Sequence, residues 1–452
     1  MIVIIRVVTT ESPDDPRFSS ADRVVSSVRV PQACWHTVTA PERPTTTSAS
    51  PGRTGGQWTG WALTVVGVVG VVVATSLNAS HAASAASQVW SPFVLVAGLL
   101  LVGLVADEDG LYLAAGRRLA RLAPNAVSLF AGAGVLVALV TAVLNLDTSV
   151  VFLTPVLMYA ARARRQGEAP LLYGCLLLSN AGSLLLPGSN LTNLIVAGHL
   201  HFSGARFFDR MALAWICAAV VTAVVVGIME RGSLHTRTPP GAVTGGAAMG
   251  ATTGAPADGD GPSAPPARPT TVGLGLVAVV AVTIVVLVLR SPAVPVAAVG
   301  ILVVGIRSAG DRGRRHRALA VLGLPVLIGL FGVAVTLGAL GRSWSGPATL
   351  LSHLDPWGTA AVAALASVLV NNLPAASLLA ARVPPHPYAL LVGLDIGPNL
   401  FVTGSLAWIL WWRAARAAGG HPSIRRATLL GVVSVPLSMG AALGVLSLTG
   451  SH

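Results

Sequence analysis

Long apolar runs separated by short polar ones organise this 452-residue chain. An α-helix needs about 20 residues to cross a hydrocarbon layer of roughly 30 Å. Apolar runs of that kind lie near 58–77, 90–105, 171–199, 211–229, 271–289, 294–306, 319–340, 388–412 and 429–448. They predict about nine transmembrane helices. Two further apolar stretches, 127–163 and 357–382, carry polar interruptions at Asn145, Asp147, Asn371 and Asn372.

Composition sharpens this picture. Hydrophobic residues make up 53% and charged residues 10% of the chain, against about 25% charged in soluble domains. The formal charge of +12 raises the question of a nucleic-acid partner, and its distribution answers it. The arginines stand in short segments between apolar runs: Arg117, Arg118 and Arg121; Arg162, Arg164 and Arg165; Arg307, Arg312, Arg314, Arg315 and Arg317; Arg413, Arg416, Arg425 and Arg426. That is the positive-inside pattern of a multi-pass protein of the plasma (inner) membrane, and no nucleic acid is implied.

With all four clusters in the cytoplasm, one consistent thread makes both interrupted stretches re-entrant hairpins. The first, between Arg121 and Arg162, opens to the cytoplasm, and the second, between Ser352 and Pro384, opens to the other side. Segment 78–88 has no Lys, Arg, Asp or Glu, as an external loop allows. The domain plan is a disordered tail (1–57), a first transmembrane repeat (58–230), a flexible cytoplasmic linker (231–270) rich in Gly, Pro, Ala and Thr, and a second transmembrane repeat (271–452). The C-terminus is then external.

The halves repeat each other. NAGSLLLPGSNL from Asn180 aligns with DIGPNLFVTGSL from Asp395, and LNLDTSVVFLTP from Leu144 aligns with VNNLPAASLLAA from Val370. Two pairs in the same order, on hairpins of opposite sense, predict an all-α inverted-repeat secondary transporter, whose broken helices build a site at mid-membrane. Unwound backbone survives in hydrocarbon only where protein, water or a ligand satisfies it. Pro155, Pro187, Pro374 and Pro398, with Gly188, Gly397 and Gly404, supply the breaks.

The polar side chains beside those breaks are the candidate cargo ligands: Asn145, Asn180, Ser189, Asn190, Asn193, Asn371, Asn372, Asn399, Thr403 and Ser405, with Thr192 in the same ring. A bland alternative exists for each, because Asn, Ser and Thr tie membrane helices together for about 0.6–2 kcal/mol apiece. Asp147 and Asp395 are harder to assign to cohesion, since a carboxylate at the bilayer centre costs about 2.5–3.5 kcal/mol on insertion scales and marks an ion or proton path. They are the candidate groups for proton or ion coupling. Trp58, Trp61, Trp90, Trp408, Trp411 and Trp412 stand near span ends, where an interfacial belt is expected. His199 and His201 lack metal-ligand company, and Cys34, Cys175 and Cys217 are too scattered for a disulfide framework or thiolate site. Neither a metal nor a cofactor is implied. There is no Walker-type phosphate loop and no hydrolase motif, so no enzyme is indicated.

Five segments carry a resemblance: DEDGLYLAAGRRLARL from Asp107, LNLDTSVVFLTP from Leu144, SLLLPGSNLTNLIV from Ser183, VNNLPA from Val370 and GLDIGPNLFVTGSLAWILWW from Gly393. The chain resembles the arsenical-pump membrane-protein family, arsenite and antimonite efflux permeases of the ion-transporter superfamily, related to citrate and dicarboxylate carriers. The resemblance implies export of trivalent metalloid, driven by the proton gradient or by a partner ATPase, and admits a homodimer. It places Asp147, Asn190, Asn193, Asn372, Asp395 and Ser405 along the pathway. The chain departs from that family at Leu146, Asn180 and Asn399, where Asn, Asp and Lys are common. Two alternatives stand beside it: a cation-coupled carrier of an organic carboxylate or inorganic anion, and, in another class, a non-transporting membrane scaffold.

Overall fold

A computed structural model describes residues 54–198, 204–235, 273–289, 291–309 and 311–450, with side chains from residue 61 onward except those of His235 and Arg312. The expected tail up to residue 53, most of the linker, His199, His201, Cys34 and the Trp58 side chain lie outside the described residues, and residues 54–57 of that tail are the start of a helix. Residues up to Thr59 and those from Gly60 form separate compact units, and the description concerns the second.

Among the described residues every regular element is helical. Helix α1 (Thr54–Leu77) is followed at once by α2 (Ala79–Glu108). Only Asn78 separates them, and its side chain caps α2 by accepting from the His81 N–H. The charge-free segment 78–88 is therefore not a loop, because an Asn cap lets a helix restart within one residue.

After Gly110, at φ 75°, comes the short arginine-bearing α3 (Leu111–Leu122), then α4 (Ala126–Leu144) and α5 (Leu146–Ala163). By length and apolarity α4 could cross a membrane alone. Arg164, just past the end of α5, donates to the Ala123 carbonyl just before α4 at 2.7 Å. The two ends lie side by side, so α4 and α5 are the arms of a hairpin with Asn145 at its tip.

The first broken crossing is α6 (Ala169–Gly182) and α7 (Leu191–Ala197), followed by α8 (Gly204–Met229) and α9 (Arg231–His235). Beyond the linker come α10 (Leu274–Val288), α11 (Ala293–Arg307), α12 (Arg312–Leu322), α13 (Leu324–Ser343) and α14 (Gly346–Ser352). The second hairpin is α15 (Pro356–Val370) and α16 (Asn372–Leu379). Its end lies beside the end of α13, where a Cβ on Gly341 would be 2.6 Å from the Leu378 carbonyl oxygen, and α14, which leads into α15, packs on α16. The second broken crossing is α17 (Pro387–Ile396) and α18 (Leu406–Ala417), and α19 (Ile424–Leu448) closes the fold.

Ion pairs mark one face: Arg307 with Asp109, Arg317 with Glu108, Arg162 with Glu168 and Arg426 with Glu230. On the other face, His81 meets Ser343 and Gln88 joins Arg342. The first hairpin opens to the arginine-rich face and the second to its opposite, as an inverted repeat requires. The described ends of the linker, at α9 and α10, are both on the arginine-rich face, where the Gly275 N–H meets Asp109 at 2.7 Å.

Lipid offers no hydrophobic drive between helices, so small residues and close packing hold them. A Cβ on Gly98 of α2 would stand 2.7 Å from the Ala297 Cα of α11, so these helices meet backbone to backbone. Of two adjoining buried cores, one gathers the first hairpin and α6, the other the second hairpin and α17. The two broken helices meet at the seam.

Candidate functional site

Each hairpin tip is one residue in an unusual conformation. Asn145 has φ 114° with ψ 168° and Asn371 φ 79° with ψ 148°, a strained region that residues other than glycine rarely adopt. Each closes one helix through its N–H, to Thr141 and Ser367 respectively, while its side chain caps the next, accepting from Thr148 and Leu373. An amide that does both jobs lets the chain reverse in hydrocarbon with few free backbone groups.

The breaks in the crossings are closed by matching bonds. Aligning Asn180 with Asp395 brings Asn193 opposite Trp408 and Ser183 opposite Pro398. Asn193 Nδ2 donates to the Ser183 carbonyl at 2.7 Å, and Trp408 Nε1 donates to the Pro398 carbonyl at 2.9 Å. Likewise Ser189 donates to the Ala142 carbonyl, and Thr403 to that of Val368, at matching positions before the two tips. Each hairpin is thus tied to its own broken helix.

At the seam the crossings touch. Asp395, fully buried, accepts on Oδ1 from Asn190 Nδ2 at 2.9 Å and from Thr192 Oγ1 at 2.6 Å. Ser183 and Asn193 lie against the same carboxylate. Asn399 Nδ2 reaches across to the Leu177 carbonyl at 2.9 Å. Four buried polar atoms here have no partner, Asn180 Oδ1, Asn193 Oδ1, Asp395 Oδ2 and Asn399 Oδ1, and neither has Ser405 Oγ at the start of α18. An orphaned buried polar group costs about 1–3 kcal/mol. Their concentration at one seam points to a ligand or water that satisfies them.

Residues 57–403 match the citrate-transporter family, CitMHS. The chain belongs to that family. The matched span takes in the first repeat and the second as far as Thr403. In fold, this citrate-transporter family member is similar to the YdaH transporter of Alcanivorax borkumensis, whose structure is described as revealing an unusual topology. The TM-score is 0.50 at 15% identity, covering 85% of this chain and 98% of that one. The protein is accordingly a multi-pass membrane transporter with the all-helical fold its sequence predicts.

The seam unites Asn180, Asn190, Asn193, Asp395 and Asn399 of the expected set, and Ser405 stands at the start of α18, beside the second break. Asn371, Asn372 and Thr403 form a separate knot between the second tip and its break: the Asn372 N–H reaches the Gly404 carbonyl at 2.9 Å and Asn371 Nδ2 the Thr403 carbonyl at 3.3 Å. Asn145 and Ser189 belong to the first tip. Asp147 stands near that tip, in the first turn of α5, half-buried and with no hydrogen bond or ion pair to a described residue.

The expected belt requires correction. Trp61, Trp90 and Trp412 do face outward, but Trp408 and Trp411 are fully buried, and Trp411 donates to the Leu172 carbonyl. An indole with a waiting carbonyl is better placed inside than in a headgroup layer. Ser183 was also missing from the expected ring. The repeat alignment held the signal for Trp408, as the counterpart of Asn193, whereas nothing in the sequence singled out Ser183 from other serines.

Proposed function

We propose that this transporter exports a small uncharged trihydroxide of a trivalent metalloid, arsenite or antimonite, across the plasma membrane against protons. The observation that carries this reading is the set of orphaned atoms at the seam. Asn180 Oδ1, Asn193 Oδ1, Asp395 Oδ2 and Asn399 Oδ1 are all acceptors, and the second break adds the unpaired Ser405 hydroxyl. A trihydroxide brings three O–H donors to such a set. A carboxylate cargo brings only acceptors and would meet the like charge of Asp395 at low dielectric. Asp395 is surrounded by amides and hydroxyls, with no arginine among its interacting partners. Asp147, half-buried and partnerless, is the natural second group for coupling.

A second reading, a cation-coupled carrier of an organic carboxylate, is favoured by the citrate-transporter family match. In it a cation occupies the acceptor set and offsets the charge of both Asp395 and cargo. Flux into proteoliposomes holding the purified chain alone separates the readings. Arsenite and antimonite should accumulate under an imposed pH gradient, with citrate and succinate excluded. Movement of citrate or succinate without arsenite would establish the second reading. No flux of any solute would favour a scaffold or dependence on a partner ATPase.

A further inference from the structure

Away from the seam, a groove of about 410 Å³ runs between α5 of the first hairpin and α18 of the second broken crossing. Val151, Pro155 and Leu410 line its apolar part, and Arg413, Ala417 and Ala418 its other end. That end is at the arginine-rich face, because the Ala418 carbonyl accepts from Arg162 at 2.7 Å and Arg162 pairs with Glu168. Val151 and Pro155 lie further up α5 toward the tip, at hydrocarbon depth. Ala417 and Ala418 are small and leave the mouth open.

The arginines bordering the groove differ in occupation. Arg162 is engaged by Glu168 and Ala418, and Arg416 lies over the Trp412 ring at 5.3 Å. Arg413 is exposed and makes no hydrogen bond, ion pair or ring contact with a described residue. A free guanidinium at the membrane boundary above an apolar slot matches one kind of molecule in its charge and in its tail. Arginine takes a phosphate through its planar fork, basic pockets between helices on the cytoplasmic side suit anionic headgroups, and an acyl chain fills a slot of this lining.

We propose that the groove binds one anionic phospholipid, with its phosphate on Arg413 and one acyl chain along Val151, Pro155 and Leu410. The groove joins a helix of the first repeat to one of the second. The same helices begin at Asn145 and Ser405, so an occupant bridges the elements that carry the first tip and the second break. This site is independent of the cargo reading.

The test is native mass spectrometry and thermal melting of the full chain in detergent, with phosphatidylglycerol or phosphatidylcholine added. The wild-type chain should hold one phosphatidylglycerol and melt higher with it, with a smaller shift from phosphatidylcholine. Arg413→Gln should weaken phosphatidylglycerol binding by about five-fold, the value of one interfacial charge. Ala417→Trp, which fills the mouth, should weaken it similarly, and Arg416→Gln should leave it unchanged. Equal shifts from the two lipids, or undiminished phosphatidylglycerol binding by Arg413→Gln, would overturn the proposal. Arg413 is exposed and partnerless, so that variant decides the matter even if Ala417→Trp fails to fold.

Discussion

The two repeats have the same backbone plan and different chemistry. Both tips are an Asn at positive φ, both breaks have a carbonyl closed by the side chain at the matching position, and both hairpins are tied to their breaks by a hydroxyl. The second repeat is the tighter: its tip and break share bonds from Asn371, Asn372 and Thr403. Its closing helix sits so near that a Cβ on Gly431 would be 1.8 Å from the Asn399 oxygen. The first leaves Asn145 Nδ2 and Thr148 Oγ1 buried and unpaired, and its following helix reaches the break through Trp215 Nε1, 3.0 Å from the Gly182 carbonyl. The acids are divided as well. Asp395 is at the seam among ligands, whereas Asp147 stands by the loose tip without a partner. Duplication thus fixes the frame, and divergence sets how each tip is held: the second is bonded to its break through Asn371, Asn372 and Thr403, the first through the Ser189 hydroxyl.

The largest expected effect is at the acids. Asp395→Asn should abolish accumulation against a gradient, by about 100-fold or more, since a buried group serving both binding and coupling is lost. Exchange at equal pH should persist in part. Asp147→Asn should also remove gradient-driven accumulation, yet leave cargo affinity near the parent value, because Asp147 lies apart from the seam ligands. Fluxes in proteoliposomes with and without a pH gradient measure both. A shared loss of affinity would erase the division of labour.

Next is packing. Gly431→Ala should destabilise the fold by about 1–3 kcal/mol through overpacking against the Asn399 carbonyl. Ile216→Ala, at the aligned position of the first repeat, where the side chain is exposed, should cost less than about 1.5 kcal/mol. Thermal melting in detergent compares them, and equal costs would show that the repeats are equally tight. Smaller still, Trp408→Phe and Asn193→Leu each remove the donor that closes a break, and each should cost about 0.5–1.5 kcal/mol before packing changes, the net worth of one hydrogen bond. A cost confined to one repeat would deny that the two bonds are equivalent.

Much of this frame was legible in the sequence. The arginine clusters fixed the sense of each hairpin, because translocation reads charge locally, and Asn145 and Asn371 stood out as polar residues inside apolar runs. Segment 78–88 was misread because the absence of charge does not distinguish a loop from a capped helix. The burial of Trp408 and Trp411 was hidden because amphipathic rings suit both an interface and a polar break. The division of the polar residues into a seam, a second-tip knot and a loose first tip depends on distances between segments far apart in the chain, which composition and spacing do not encode.

The central claim is that cargo is held at the seam by both repeats at once. Cargo binding to Asn190→Ala and Ser405→Ala tests it most directly, with folding checked by melting. Asn190 approaches from the first break, and Ser405 offers its unpaired hydroxyl from the second. Each substitution should weaken metalloid binding by about ten-fold, the value of one hydrogen bond of roughly 1.4 kcal/mol, with the folded fraction unchanged. Parent affinity in either variant, in a chain that still transports, would contradict a site shared between the repeats.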